Sequence, residues 1–243
     1  MGSRIDILGI GFDDVTIDQA VLKACDVISR REKNYVATPN PEIVWMCRKN
    51  EQLRFAVNNA GIVISDGIGI ILGARILGTP LRGGRIPGIE FATALFEKIA
   101  EFGGSVFLLG AKPSVAEEAG NKLAANYPGL VIAGTADGYF EETESVISKI
   151  NNACPDFLIV CLGSPKQELW IVENLEKINV ALCAGLGGVL DVFAGNVKRA
   201  PAAFRRLGLE WLYRLICQPS RIKRMIKIPL FVFAVIWRRL RMK

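Results

Sequence analysis

The chain has 243 residues and no histidine, so proton transfer must fall to carboxylates, lysines, tyrosines or thiols. A Ser-His-Asp triad, a Cys-His pair, an HExxH zinc site and a phosphohistidine are all excluded. Among the remaining groups, Asp66 is the best placed. Ile62–Ser65 reads as a strand, and Asp66-Gly-Ile-Gly69 turns it into an apolar helix. A carboxylate at that turn could act as a general base, or could simply form an Asp-Gly turn or helix cap. In Ser164-Pro-Lys-Gln167, Lys166 could supply charge and Gln167 a donor to a diphosphate; the same four residues also fit a capping box. Arg82 and Arg85 lie in a Gly-rich loop, Thr79–Gly88, as an anion clamp or as solvated arginines. Asp191 could accept ribose hydroxyls or serve as a first-turn helix acid. Tyr139 could form the lip of a base pocket or, with Phe140, belong to the core.

These residues need a frame that brings them together, and the alternation of elements supplies one. Arg4–Leu8, Asn34–Thr38, Ile62–Ser65, Ser105–Leu109, Leu130–Gly134, Phe157–Leu162 and Val180–Ala184 read as strands. Helix-period segments follow them. Thr16-Ile-Asp-Gln19 is a capping box opening a helix to Arg30, and Asn40 caps a helix that Pro41 starts. Further helices are expected over 68–77, 89–102, 114–126 and 142–152, and from Pro165 and Gly188. This βα alternation to residue 195 predicts an α/β, Rossmann-like class with a largely parallel sheet flanked by helices.

Ligands of such sheets gather at the C-terminal ends of the strands. Here those ends carry Thr38-Pro-Asn40, Asp66-Gly67, Gly110-Ala-Lys112, Gly163-Ser-Pro-Lys166 and Gly185-Leu-Gly187-Gly188. Small residues let a ligand approach the backbone, and helix N-termini attract phosphate. A nucleotide site is the inference. Neither Gly9-Ile-Gly11 nor Gly185-Leu-Gly-Gly188 completes the dinucleotide fingerprint, which argues against an NAD-type oxidoreductase on the same sheet. No Asp-x-Asp, the metal–diphosphate signature of many sugar-nucleotide enzymes, is present. Six cysteines without a CxxC read as small core residues of a reduced, cytosolic protein. Asp6 interrupts the stretch that a signal peptide would keep apolar, so no leader is expected.

Charge divides the chain near Gly195. Residues 1–195 hold 17 Lys and Arg against 23 acids; residues 196–243 hold 13 against Glu210 alone. An acidic body, 1–195, thus carries a basic appendage, 196–243, which calls for an anionic partner. The apolar run Pro229–Trp237, closed by Arg238, Arg239, Arg241 and Lys243, selects a membrane surface over nucleic acid. As a helix, residues 229–241 span about 20 Å against a hydrocarbon core of about 30 Å, too short to cross. The simpler reading is a terminal helix packed on the body, or an apolar face buried against a second copy off the membrane.

Together the motifs resemble one family. Thr38-Pro-Asn40, Asp66-Gly-Ile-Gly69, Arg85-Ile-Pro-Gly-Ile-Glu90, Leu109-Gly110, Asp137-Gly-Tyr-Phe140, Leu162-Gly-Ser-Pro-Lys-Gln-Glu168, Gly185-Leu-Gly-Gly188, Gly195–Pro201 and Leu207–Arg214 occur in that order. In this the chain resembles the WecG/TagA/CpsF family of bacterial glycosyltransferases. The resemblance implies transfer of N-acetylmannosamine, or a related sugar, from a UDP donor to N-acetylglucosamine on undecaprenyl diphosphate. It implies inversion, a role in wall teichoic acid linkage or an equivalent surface glycan, and no metal or other cofactor, the UDP-sugar being a substrate. It implies a cytoplasmic enzyme held peripherally at the inner face of the cell membrane. By motif, Asp66 matches the proposed base, Thr38 and Asn40 the donor pocket, Gln167 a site-facing polar residue, and Arg85 a loop arginine. Glu90 stands where many relatives have Asp, and Gly83-Gly84 precedes Arg85, so Arg82 is the alternative in that loop. Arg214, Arg221 and Arg224 match appendage arginines expected to face the diphosphates. A non-catalytic membrane adaptor is the rival class.

Overall fold

The computed structural model describes residues 4–219 and 222–242. It opens with an antiparallel hairpin, β1 (Ile5–Ile7) and β2 (Ile10–Phe12). The expected strand over residues 4–8 therefore pairs within this hairpin and not with the main sheet. The main sheet contains β3 (Asn34–Ala37), β4 (Ile62–Val63), β5 (Ser105–Gly110), β6 (Val131–Ala136), β7 (Phe157–Cys161) and β8 (Leu182–Gly185). Its order is β4-β3-β8-β7-β5-β6, and every pairing is parallel. The class is α/β, as the alternation predicts.

The helices follow from local chemistry. In α1 (Ile17–Arg30), Gln19 N–H donates to Thr16 Oγ1 at 3.3 Å, and the Gln19 side chain accepts Thr16 N–H at 3.0 Å. This capping box satisfies two N–H groups that the helix cannot bond itself. Asn40 caps α2 (Pro41–Cys47), and Asn50 caps α3 (Glu51–Asn58), which was not foreseen as a separate helix. Next come α4 (Ile68–Leu77), α5 (Gly88–Glu101), α6 (Val115–Asn126), α7 (Thr143–Ala153), α8 (Lys166–Asn174) and α9 (Val189–Phe193). The basic segment forms α10 (Ala202–Arg206), α11 (Glu210–Cys217), α12 (Ile222–Met225) and α13 (Lys227–Arg241).

Strands buried on both faces read as unbroken apolar runs, and successive side chains go to opposite faces. Val106, Leu108, Phe157 and Ile159 pack with α1, α5, α6 and α9. Phe107, Leu109, Leu158 and Val160 pack with α2, α3, α4, α7 and α8. That second core also takes Phe231 and Val235 of α13, both fully buried. Gly73 on α4 admits Phe231: a Cβ there would lie 3.0 Å from Phe231 Cζ. Arg238 pairs with Asp6 at 2.6 Å, and Arg239 donates to the Leu77 carbonyl at 3.1 Å.

One face of the apolar run is thus packed on the body. The other leaves Leu230, Phe233, Ile236, Trp237 and Leu240 exposed. Among the described residues, no helix is long and apolar enough to cross a membrane.

Candidate active site

A parallel sheet delivers all its strand C-termini to one edge. The order along that edge is Asp66 after β4, Thr38 after β3, Gly187 after β8, Gly163–Gln167 after β7, Gly110 after β5 and Tyr139 after β6. The first part of the chain builds β3–β4 and the later part builds β8-β7-β5-β6. The two meet between β3 and β8, the type of junction at which open α/β sheets bind ligands. Thr38 closes it, its buried hydroxyl donating to the Gly185 carbonyl at 3.0 Å.

Asp66 is set by the tight turn into α4. Gly67 caps that helix at φ +94°, a conformation that favours glycine. A Cβ on Gly67 would lie 3.5 Å from the Pro41 ring, so this turn packs against the Asn40-Pro41 turn. Asn40 Oδ1 accepts Ile43 N–H at 3.0 Å, so its carbonyl serves the α2 cap. Ser65 fastens the arginine loop beside Asp66. Its hydroxyl donates to the Gly84 carbonyl at 2.7 Å, and its carbonyl accepts Ile86 N–H at 2.9 Å. Arg85 is half-buried, reaches the Arg205 carbonyl at 3.2 Å, and stabilises the Asp66 carboxylate electrostatically. Arg82 is exposed.

The basic segment closes over this corner. A Cβ on Gly208 would lie within 3 Å of the Ile68 side chain, so the α10–α11 turn sits on the first turn of α4. On α11, Arg214 bonds Glu210 at 3.1 Å, and both act on Asp66. Arg199 pairs with Glu90 in the first turn of α5. Burial pushes the Asp66 carboxyl up to about 6. Arg214 and Arg85 oppose that rise, while Glu210 and Glu90 add to it. Part of the Asp66 surface stays open, but protein surrounds most of the carboxyl.

The α8 turn departs from expectation. The capping box over Ser164–Gln167 does not form; Pro165 is the N-cap, without a side-chain bond. Gln167 is instead 2% exposed, and its side chain runs inward. Gln167 Oε1 accepts Gly187 N–H at 2.9 Å, and Nε2 donates to Glu168 Oε1 at 3.0 Å. Its amide is committed to protein partners, and it does not stand open in the site. Burial raises the Glu168 carboxyl, against the opposing influence of Gln167, Ser164 and Arg224. Arg224 meets Glu42 on α2 at 3.0 and 3.2 Å, and Lys227 meets it at 3.2 Å. Arg221 lies outside the described residues.

The remaining positions lie farther along the edge. Gly110, at φ +127°, must be glycine, because a Cβ would fall 2.4 Å from the Cys161 carbonyl oxygen. A Cβ on Gly163 or Gly187 would meet nothing within 4 Å, so both border open space. Lys166 Nζ stands 5.3 Å from the Phe140 ring centroid. Asp137 Oδ1 accepts Tyr139 N–H at 2.8 Å, and Tyr139 is 68% exposed beside a cleft of about 550 Å³. That end is five strand spacings from Asp66, about 24 Å. The structure therefore gathers Asp66, Arg85 and Arg214 at one end of the edge, with Thr38 and Gly187 at the central junction. Tyr139 lies at the other end. Asp191, in the first turn of α9, folds its carboxylate back toward Gly188.

The model of the glycosyl transferase WecG/TagA/CpsF family matches residues 5–243. The chain belongs to this family. It is 39% identical over 202 residues to an N-acetylglucosaminyldiphosphoundecaprenol N-acetyl-beta-D-mannosaminyltransferase of Bacillus spizizenii, covering 83% of this chain and 78% of the relative. A Staphylococcus aureus protein of the same name is 37% identical over 237 residues, 96% of this chain and 92% of its own length. As a WecG/TagA/CpsF glycosyltransferase, the chain carries the motifs quoted above at its strand ends and in the helices over Asp66. Sequence reasoning missed Glu42, Glu168 and Glu210, because an acid in a helix's first turn is what the helix dipole alone would favour.

Proposed function

We propose that this enzyme transfers N-acetylmannosamine from UDP-N-acetylmannosamine to N-acetylglucosamine on undecaprenyl diphosphate, with inversion and without a metal ion. The names of the relatives support the sugar and the acceptor. The reading rests chiefly on Asp66, a carboxyl raised to about 6 at the strand edge between Arg85 and Arg214. Such a group is ionised at neutral pH and is a stronger base than an ordinary aspartate. An acceptor hydroxyl oxygen attacks the anomeric carbon while Asp66 takes its proton. The bond from that carbon to the diphosphate breaks, and its electron pair leaves with UDP. Arg85, Arg214 and Arg224 carry the charge that offsets the leaving diphosphate, with Arg221 the sequence-based fourth. Thr38, Asn40 and the Gly187–Gly188 loop hold the donor, with its nucleoside toward Tyr139.

The product is the linkage unit of wall teichoic acid or a related surface glycan. Catalysis takes place at the inner face of the cell membrane, where the lipid acceptor lies. The outer face of α13 fits that surface. It exposes Phe233 and Trp237, stacked at 6.4 Å, with the Arg241 guanidinium 4.9 Å from the Trp237 ring centroid.

The test is UDP release by the full chain in detergent with EDTA. Release that requires both UDP-N-acetylmannosamine and the lipid-diphosphate acceptor is expected. Release only with another UDP-hexose would overturn the donor, and release only after adding Mg²⁺ would overturn metal independence.

A further inference from the structure

Glu168 combines a buried position with an incomplete set of partners. It is 7% exposed, in the first turn of α8. Oε1 accepts the Gln167 amide, while Oε2 is buried with no hydrogen-bond partner. A carboxylate withdrawn from water with one oxygen unpaired is costly, and a purely structural site would be better filled by an apolar side chain. Its one strong bond is informative. A glutamine amide can be turned over, exchanging its oxygen and nitrogen. Oε1 accepts in the ionised carboxylate and equally as the carbonyl oxygen of a carboxyl protonated on Oε2, so in either state it holds the Gln167 nitrogen toward itself. The Gln167 oxygen is then left facing Gly187 N–H, 2.9 Å away. Gly185 makes room for this arrangement, since a Cβ there would lie 2.9 Å from Gln167 Nε2.

We propose that Glu168 is a positioning residue for donor binding: it fixes the Gln167 amide so that Gln167 holds Gly187 and the β8–α9 loop at the donor site. This rests on the UDP-sugar reading above. Gln167 is thereby a support beneath the site and need not touch the sugar.

The test uses the full chain and two readouts, hydrogen exchange at the Gly187 amide by NMR and the Kd for UDP. Glu168→Ala should speed Gly187 exchange at least tenfold and weaken UDP about tenfold, the effect of one lost hydrogen bond. Glu168→Gln should retain both, because its side-chain oxygen can still accept. Gln167→Glu should fail, since it sets two carboxylates side by side. Adding Glu168→Gln to it should restore both readouts, with the amide at 168 donating to the carboxylate at 167. That exchange decides the matter if Glu168→Ala does not fold. Unchanged Gly187 exchange in Glu168→Ala, or no recovery in the exchanged pair, would overturn the proposal. Fast Gly187 exchange with an unchanged UDP Kd would overturn its link to the donor. Failure of the wild type to bind UDP would instead strike the donor reading, while Gly187 exchange would still report on Glu168.

Discussion

Asp66, the proposed base, is held at a cost to the fold. Its carboxyl is raised from an ordinary value of 3.8 to about 6, chiefly by burial. Well below 3.8 the group is protonated whether the chain is folded or not, so it exacts no penalty. Between about pH 4 and 6 the unfolded chain ionises this group while the folded state keeps its proton. The penalty grows to about 3 kcal/mol and then stays constant. Asp66→Asn should therefore raise the melting temperature at pH 8 by several degrees and leave it nearly unchanged at pH 3. Thermal melts at the two pH values check this; equal shifts at both would place the effect in packing. At this scale the caps were legible in the sequence, because Thr16 with Gln19, and Asn40 with Pro41, act on their own neighbours. Gln167 was misread for the opposite reason. Its partner Gly187 lies 20 residues away, and only the pairing of β7 with β8 brings the two together.

Among the elements, α13 shows how far an apolar run can be read. The sequence contains Pro229–Trp237 but does not say which side meets protein. The structure divides it: Phe231, Ala234 and Val235 go inward and Leu230, Phe233, Ile236 and Trp237 outward. Phe231→Ala should cost about 3–5 kcal/mol, since a fully buried ring against Gly73 leaves a cavity. Phe233→Ala, on the outer face, should leave the denaturant midpoint nearly unchanged. Similar losses for the two would show that α13 does not dock as described. The parallel strands were legible as buried runs with turns, and β1 was legible as a strand, but its hairpin with β2 was not, because a short strand does not declare its partner. The closure of α11 over Asp66 also depends on tertiary packing, through Gly208 against Ile68.

At the level of the whole molecule, the basic end packs over the strand edge of the acidic body. Residues 196–243 bring Arg214 to Asp66 and Arg224 to Glu42, while the outer face of α13 points its aromatics away from the body. A soluble donor and a lipid acceptor could thus meet where the strand edge comes under the basic helices. Reversing the exposed Arg241, which lies over the Trp237 ring, to Glu should weaken sedimentation with phosphatidylglycerol vesicles by about 2 kcal/mol, twice the loss of one basic residue. Equal sedimentation of wild type with neutral vesicles would remove the electrostatic part of this account. Undiminished binding after the reversal, with self-association lost, would assign the face to a second copy. The family was legible in the ordered set of strand-end motifs. The burial of Asp66 under the arginine-bearing elements and of the Gln167–Glu168 pair was not, because it depends on tertiary packing.

The most direct measurement is kcat/KM for acceptor-dependent UDP release against pH, for wild type and Asp66→Asn. With Asp66 as the base, the wild-type value should rise through an inflexion near pH 6, and Asp66→Asn should fall by about 10²–10⁴ and lose that inflexion. A variant that keeps wild-type turnover, or an inflexion that survives the substitution, would contradict the account.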